Sequence, residues 1–116
     1  MSNKFENLTA WQIAKDLAVD CYKITKIFPK NDYALISQIT RAAISISANI
    51  AEGCSRSSKK DFLRFLEIAI GSAFELETLL ALSHEIKYID DKDFNRLIDR
   101  NERVIKLIYG FKRSLK

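Results

Sequence analysis

Arg56, Lys59, Lys60 and Arg64 lie within nine residues of one another around a polar connection, Cys54-Ser-Arg-Ser-Ser58. Guanidinium and ammonium groups gathered on one turn suit contact with phosphates, which holds a nucleic-acid strand in register without reading its bases. Arg41 is a further basic candidate, but its small and apolar neighbours favour pairing with Glu52, Glu75 or Glu77, inside or between subunits. Acid–base chemistry would have to come from Glu52, Glu67, Glu75, Glu77 and His84. Glu75 and Glu77 are two apart and point to different sides of a helix. His84 has no Cys or Ser nucleophile spaced to work with it. The paired Glu-X-X-His pattern of di-iron bundles is absent, and Cys21 and Cys54 have no metal-type spacing. These residues form no catalytic constellation, so the expectation is a protein that is not an enzyme and carries neither metal nor cofactor.

A second group recurs at helical spacing. Gln38, Arg41, Ser45, Asn49, Glu52 and Arg56 follow at steps of three and four, which makes a polar stripe along one side of a helix. Ile36, Ile39, Ala43, Ile46 and Ile50 line another side. A solvated face would carry more Lys and Glu and fewer Ala. The stripe is therefore expected to meet partners across an interface, within the subunit or between copies.

Four helices must position these groups. The first runs from a Thr9 cap to about Phe28, where Pro29 stops it, because the residue before a proline avoids the helical region. Its apolar set is Ile13, Leu17, Cys21, Ile24 and Phe28, and Trp11 is expected to close one end of the core. The second runs from about Tyr33 to Glu52, with Gly53 as a left-handed stop. Ser58 followed by Asp61 reads as a capping box opening the third, from about Lys59 to His84. Its core face is Phe62, Phe65, Leu66, Ala69, Ala73, Leu76 and Leu80, while Leu63, Ile70, Phe74 and Leu82 add apolar surface elsewhere. A helix apolar on more than one side is central in its fold or packs against another chain. Gly71, beside Ser72, sits mid-helix at a cost of about 1 kcal/mol relative to Ala, for which close approach of another backbone is the expected compensation. Asp90 or Asp91 caps the fourth helix, whose core side is Phe94, Leu97, Ile98, Val104, Ile105, Ile108, Phe111 and Leu115. Arg96, Arg100 and Arg103 read as solvated decoration, with Asp99–Arg103 and Glu102–Lys106 as pairs, and Lys112, Arg113 and Lys116 crowd the end. Short connections make this an all-α, antiparallel up-down-up-down four-helix bundle.

The 116 residues amount to one domain, 47% hydrophobic and 29% charged, and three Gly with one Pro favour long helices. The net charge of +4 is compatible with an acidic partner without demanding one. The first residues lack an apolar signal run, and no window approaches the roughly 18 apolar residues of a membrane span. Free thiols at Cys21, expected in the core, and Cys54, expected in a loop, fit a reducing cytoplasm.

Leu8-Thr-Ala-Trp-Gln-Ile-Ala14, Gln38-Ile-Thr-Arg-Ala-Ala43, Ser45-Ile-Ser-Ala-Asn-Ile-Ala-Glu-Gly53, Arg56 and Phe62-Leu-Arg-Phe-Leu-Glu-Ile-Ala-Ile-Gly-Ser72 with Glu75-Leu-Glu77 carry a resemblance. Together they resemble the bacterial four-helix-bundle proteins encoded in intervening sequences of 23S ribosomal RNA genes, also labelled S23 ribosomal proteins. The resemblance covers nearly the whole chain. It implies a homopentameric ring. The related accessory variability determinants of diversity-generating retroelements form such barrels and bind nucleic acid and a reverse transcriptase through basic surface. The chain departs from the family where Thr40-Arg41 stands in place of two basic residues, and where Lys87 stands in place of a glycine. The function expected from residues and resemblance is a self-associating bundle that binds RNA, DNA or a nucleic-acid-processing protein through basic surface. Its alternative is a scaffold with no nucleic-acid role.

Overall fold

Pro29 at one turn and the Ser58 and Asp90 caps at the others leave this chain few ways to divide, and the computed structural model, which describes Phe5 and residues 8–115, divides it there. The helices are α1 (Thr9–Ile24), α2 (Tyr33–Cys54), α3 (Lys59–Glu85) and α4 (Asp91–Ser114), with a short 3₁₀ turn at Thr25–Ile27 after α1. The Ser58 hydroxyl accepts from the Asp61 amide at 3.1 Å and the Asp90 carboxylate from the Asp93 amide at 2.8 Å, so both expected caps are present. Thr9 is not a cap. It lies inside α1, whose N-cap is Leu8 with no side-chain hydrogen bond.

The end of α2 differs from expectation in kind. Gly53 is helical and buried, and no glycine of the chain has a positive φ. A Cβ at Gly53 would stand 2.8 Å from Phe62 Cδ1 and 3.1 Å from Phe65 Cβ. Glycine is required there for room against α3, not for a left-handed turn. The helix continues to Cys54, which is consequently half-buried in the helix instead of exposed in a loop. Among the described residues the left-handed one is Lys87, at φ 68°. It closes α3 in a Schellman arrangement: the Lys87 amide donates to His84 O at 3.0 Å and the Tyr88 amide to Ser83 O at 2.8 Å.

Each helix packs on its neighbours in sequence and α1 closes the ring on α4, which is the antiparallel up-down-up-down bundle, 44 × 22 × 20 Å. Leu17, Ile39, Ile46, Ile50, Leu66, Leu76, Leu80, Leu97 and Ile108 are its fully buried large side chains. Cys21 lies among them, its thiol pushed up to about 12 by loss of solvent. Trp11 is half-buried and meets Phe5 edge-on, with ring centres 5.1 Å apart. The most extensive contact is between α2 and α3, where Ala42, Ala43, Ala69 and Ala73 are all buried. Small side chains let two helix axes come close.

Two features of α3 correct the sequence reading. Gly71 faces outward, and nothing stands within 4 Å of where its Cβ would be, so no backbone of the same chain approaches it. Ile70 is core, whereas Phe74 and Leu82 are about half exposed. On α4, Asn101 is fully buried among apolar residues. Its Nδ2 donates to Ala73 O at 2.9 Å, and its Oδ1 has no partner.

Candidate nucleic-acid interface

The turn between α2 and α3 brings Arg56, Lys59, Lys60 and Arg64 to one end of the bundle. The carboxylate chemistry of this end then separates the four. Arg56 is bound to Glu52 one helical turn back, and Arg64 Nε lies 4.0 Å from Asp61. Both guanidinium groups also sit on the Phe65 ring, at 4.7 and 4.8 Å from its centre. Such contacts hold a guanidinium flat while leaving its outer edge wet. Lys59 and Lys60 are exposed and make no ion pair among the described residues. The C-terminus of α4 reaches the same end. Phe62 and Phe111 meet edge-on at 5.2 Å, and Lys112 Nζ lies 3.3 Å from Glu67. Arg113 is exposed beside them, whereas Lys116 lies outside the described residues. Three carboxylates thus tie up three cations here, and Lys59, Lys60 and Arg113 remain to meet an outside anion.

Arg41 is not part of this cluster. It stands about 20 Å farther along α2, exposed and without an ion pair among the described residues, so the expected pairing with Glu52, Glu75 or Glu77 is not formed within the subunit. It walls a shallow groove of about 440 Å³ between α2 and α3 with Gln38, Ala42, Ile44, Ser45, Ser72 and Glu75. Gln38 is exposed, and the remaining stripe residues close on their own chain. Ser45 and Ser72 hydroxyls meet at 2.8 Å across the two helices, and Asn49 Nδ2 donates to Ser45 O at 2.8 Å and to Ser45 Oγ at 3.0 Å. The outer side of α2 and α3 is more apolar than the stripe. Ile44, Ile68, Phe74, Leu82 and Ile86 are between 42% and 53% exposed, with Gly71 at the middle of that α3 face.

The strongest charge cluster was not legible as such. Asp20 on α1 accepts from Arg96 Nε and Nη2, both at 2.9 Å, and from Arg100 Nη1 at 3.1 Å, while Arg96 also binds Asp93. Two residues expected to decorate a solvated helix therefore tie α4 to α1. The hydrogen bond from Arg96, with the positive charge of Arg96 and Arg100, holds the Asp20 carboxyl below its ordinary range against the opposing effect of burial. Neither Asp99–Arg103 nor Glu102–Lys106 is within ion-pair distance. At the other end, His84 Nε2 meets Asp91 Oδ1 at 2.6 Å while its ring stacks on Phe94 at 4.2 Å and 9°. This pairing orients the end of α3 against the start of α4.

Among the described residues no three His, Cys, Asp or Glu side chains stand where they could share a metal ion, and no helix is long and apolar enough to cross a membrane. The fold is similar to a crystal structure, at 1.70 Å resolution, of a protein of unknown function from the S23 ribosomal protein family of Bacteroides thetaiotaomicron VPI-5482. The two share 26% sequence identity with a TM-score of 0.83, over 90% of this chain and 98% of that one. No curated protein matches the sequence. The family model for the 23S rRNA-intervening sequence protein matches residues 6–110, and the chain belongs to that family.

Proposed function

We propose that this protein is a non-catalytic helical bundle that associates with copies of itself in the cytoplasm and presents a repeated basic end to nucleic acid or to a nucleic-acid-processing protein. The observation that carries the reading is the outer face of α2 and α3. Ile68, Phe74, Leu82 and Ile86 follow along about 27 Å of α3, half exposed, with Ile44 beside them on α2. The gap at Gly71 is open to a neighbouring backbone. Half-exposed apolar side chains interspersed with exposed Glu67, Glu75 and Thr78, around a small-residue notch, favour a protein partner. A second copy fits because the face is also lined by Arg41 and Glu75, whose opposite charges complement one another between equivalent surfaces, with the neutral amide of Gln38 beside them. Five copies is the number implied by the resemblance. Repetition around an axis would multiply the field of Lys59, Lys60 and Arg113, which a single bundle presents only weakly.

Native mass measurement at micromolar concentration is expected to return a multimer, and Phe74→Lys to return a monomer that keeps the helical circular dichroism of the parent. A monomeric parent would refute the assembly. Binding to single-stranded RNA is expected to weaken with salt, on a log–log slope set by the phosphates neutralised, and to fall at least tenfold in Lys59→Glu/Lys60→Glu. One observation favours the scaffold alternative: Arg56 and Arg64 are already held by carboxylates and by Phe65. A multimer that shifts no RNA or DNA at low salt would decide for it.

A further inference from the structure

The other end of the bundle has a groove that the basic turn does not explain. It lies between the end of α1 and the start of α2, about 750 Å³ in volume. Phe28 and Ile36 give it an apolar floor, and Tyr22 and Tyr33 stand on its walls with Lys26 and Lys30. Both tyrosines are among the most exposed large side chains of the molecule, at 58% and 75%. An aromatic ring normally seeks burial, and among the described residues neither tyrosine has a ring partner beyond the Lys26 ammonium, 5.4 Å from the centre of the Tyr22 ring. Lys26 and Lys30 make no ion pair among the described residues. Asp32, the nearest carboxylate in sequence, is engaged by the Tyr88 hydroxyl at 2.9 Å and does not line the groove. The Thr25 and Thr40 hydroxyls spend their protons on helix carbonyls, Thr25 to Tyr22 O and Thr40 to Ile36 O and Ser37 O. Their oxygens face a ligand as acceptors only, whereas Ser37 can give or take.

Exposed rings, ammonium groups without a carboxylate partner and a few hydroxyl acceptors on one concave surface match the chemistry of a nucleotide. A planar base stacks on a tyrosine, its amino group donates to threonine oxygens, and its phosphate meets the lysines. We propose that this groove binds one nucleotide unit, with the base against Tyr33 or Tyr22 and the phosphate on Lys26 and Lys30. The unit comes either from a free nucleotide or from a single-stranded RNA. The site is at the opposite end of a 44 Å bundle from Lys59 and Lys60 and does not rest on the function proposed for them.

Titration calorimetry at low salt separates the sources, with AMP as one probe and an A-rich RNA hexamer as the other. Binding of either probe is expected, weakened about tenfold by Tyr33→Ala and by Lys30→Glu, positions exposed enough to leave the fold intact by circular dichroism. AMP binding as tight as the hexamer assigns a free nucleotide, and binding of the hexamer alone assigns a strand. Lys59→Glu/Lys60→Glu is expected to leave AMP binding unchanged. Failure of both probes to bind, or binding indifferent to Tyr33→Ala and Lys30→Glu, overturns the assignment. A Tyr33→Ala variant that alters native mass but not nucleotide binding gives the groove to a subunit contact and overturns it as well. Loss of long-strand binding in Lys59→Glu/Lys60→Glu with AMP bound normally would support both ends independently.

Discussion

The α1–α4 and α2–α3 seams are built by opposite means. Across α1–α4 a carboxylate is clamped by two arginines, Asp20 between Arg96 and Arg100. Across α2–α3 the joining residues are small: Ala42, Ala43, Ala69 and Ala73 in the core, and Ser45 against Ser72 at its edge. The first seam finishes its outer surface with charge. The second brings its helices together and leaves Ile44, Ile68, Phe74 and Leu82 on the outside. A bundle therefore does not need a uniform exterior. The two α2–α3 glycines repeat the contrast at the scale of one residue, since Gly53 has no room for a Cβ and Gly71 has nothing near it.

The sharpest way to break this contrast is Asp20→Ala. It strands Arg100, leaves Arg96 only its bond to Asp93, and is expected to cost about 2 kcal/mol in urea unfolding, less than a fully buried pair because both arginines reach water. The same residue sets an acid dependence. Its folded pKa is depressed, so its contribution is complete above the unfolded-state value near ~3.9 and is lost as pH falls through the folded value. Stability measured from about pH 5 downward should fall less steeply in Asp20→Asn than in the parent. Gly53→Ala comes next. Its Cβ pushes on Phe62 and on the root of Phe65, with an expected loss of about 1–2 kcal/mol after the gain in helix propensity. Gly71→Ala should do the reverse and raise the stability of the unassembled bundle by up to about 1 kcal/mol. Equal effects at the two glycines would erase the distinction drawn between them. The smallest effect is expected away from both seams. Lys87→Gly relieves the left-handed backbone at the end of α3 and should add about 0.5–1 kcal/mol, read as a rise in Tm without a change in mass.

What was legible in the sequence was local. Pro29, Ser58 with Asp61, and Asp90 with Asp93 each act within one turn of chain, and each marked a boundary that the fold respects. Gly53 was misread because a helix stop and a close helix crossing both call for a residue without a side chain, and only the position of Phe62 and Phe65 tells them apart. The clamp on Asp20 joins residues 76 and 80 apart in the chain, and such a pairing leaves no periodic signal in either helix. Asn101 could have been found: it falls four after Leu97 and three before Val104, on the face that faces the core. Of the candidate site, the turn cluster of Arg56, Lys59, Lys60 and Arg64 was visible as a run, but not which of its cations are already taken. Tyr22, Lys26, Lys30 and Tyr33 sit on two helices either side of Pro29, and only the fold of that corner makes them neighbours.

The lone amide in the core carries this further. Asn101 finds its acceptor, Ala73 O, at one axial setting of α4 against α3. Sliding α4 by a turn would leave that donor facing hydrocarbon, so the slipped arrangement is penalised by a lost hydrogen bond as well as by poor packing. Because α4 is an unbroken helix, pinning its middle also sets the height at which its tail stops. The delivery of Arg113 to the same tip as Lys59 and Lys60 is thus decided more than three turns away, by an uncharged, fully buried side chain.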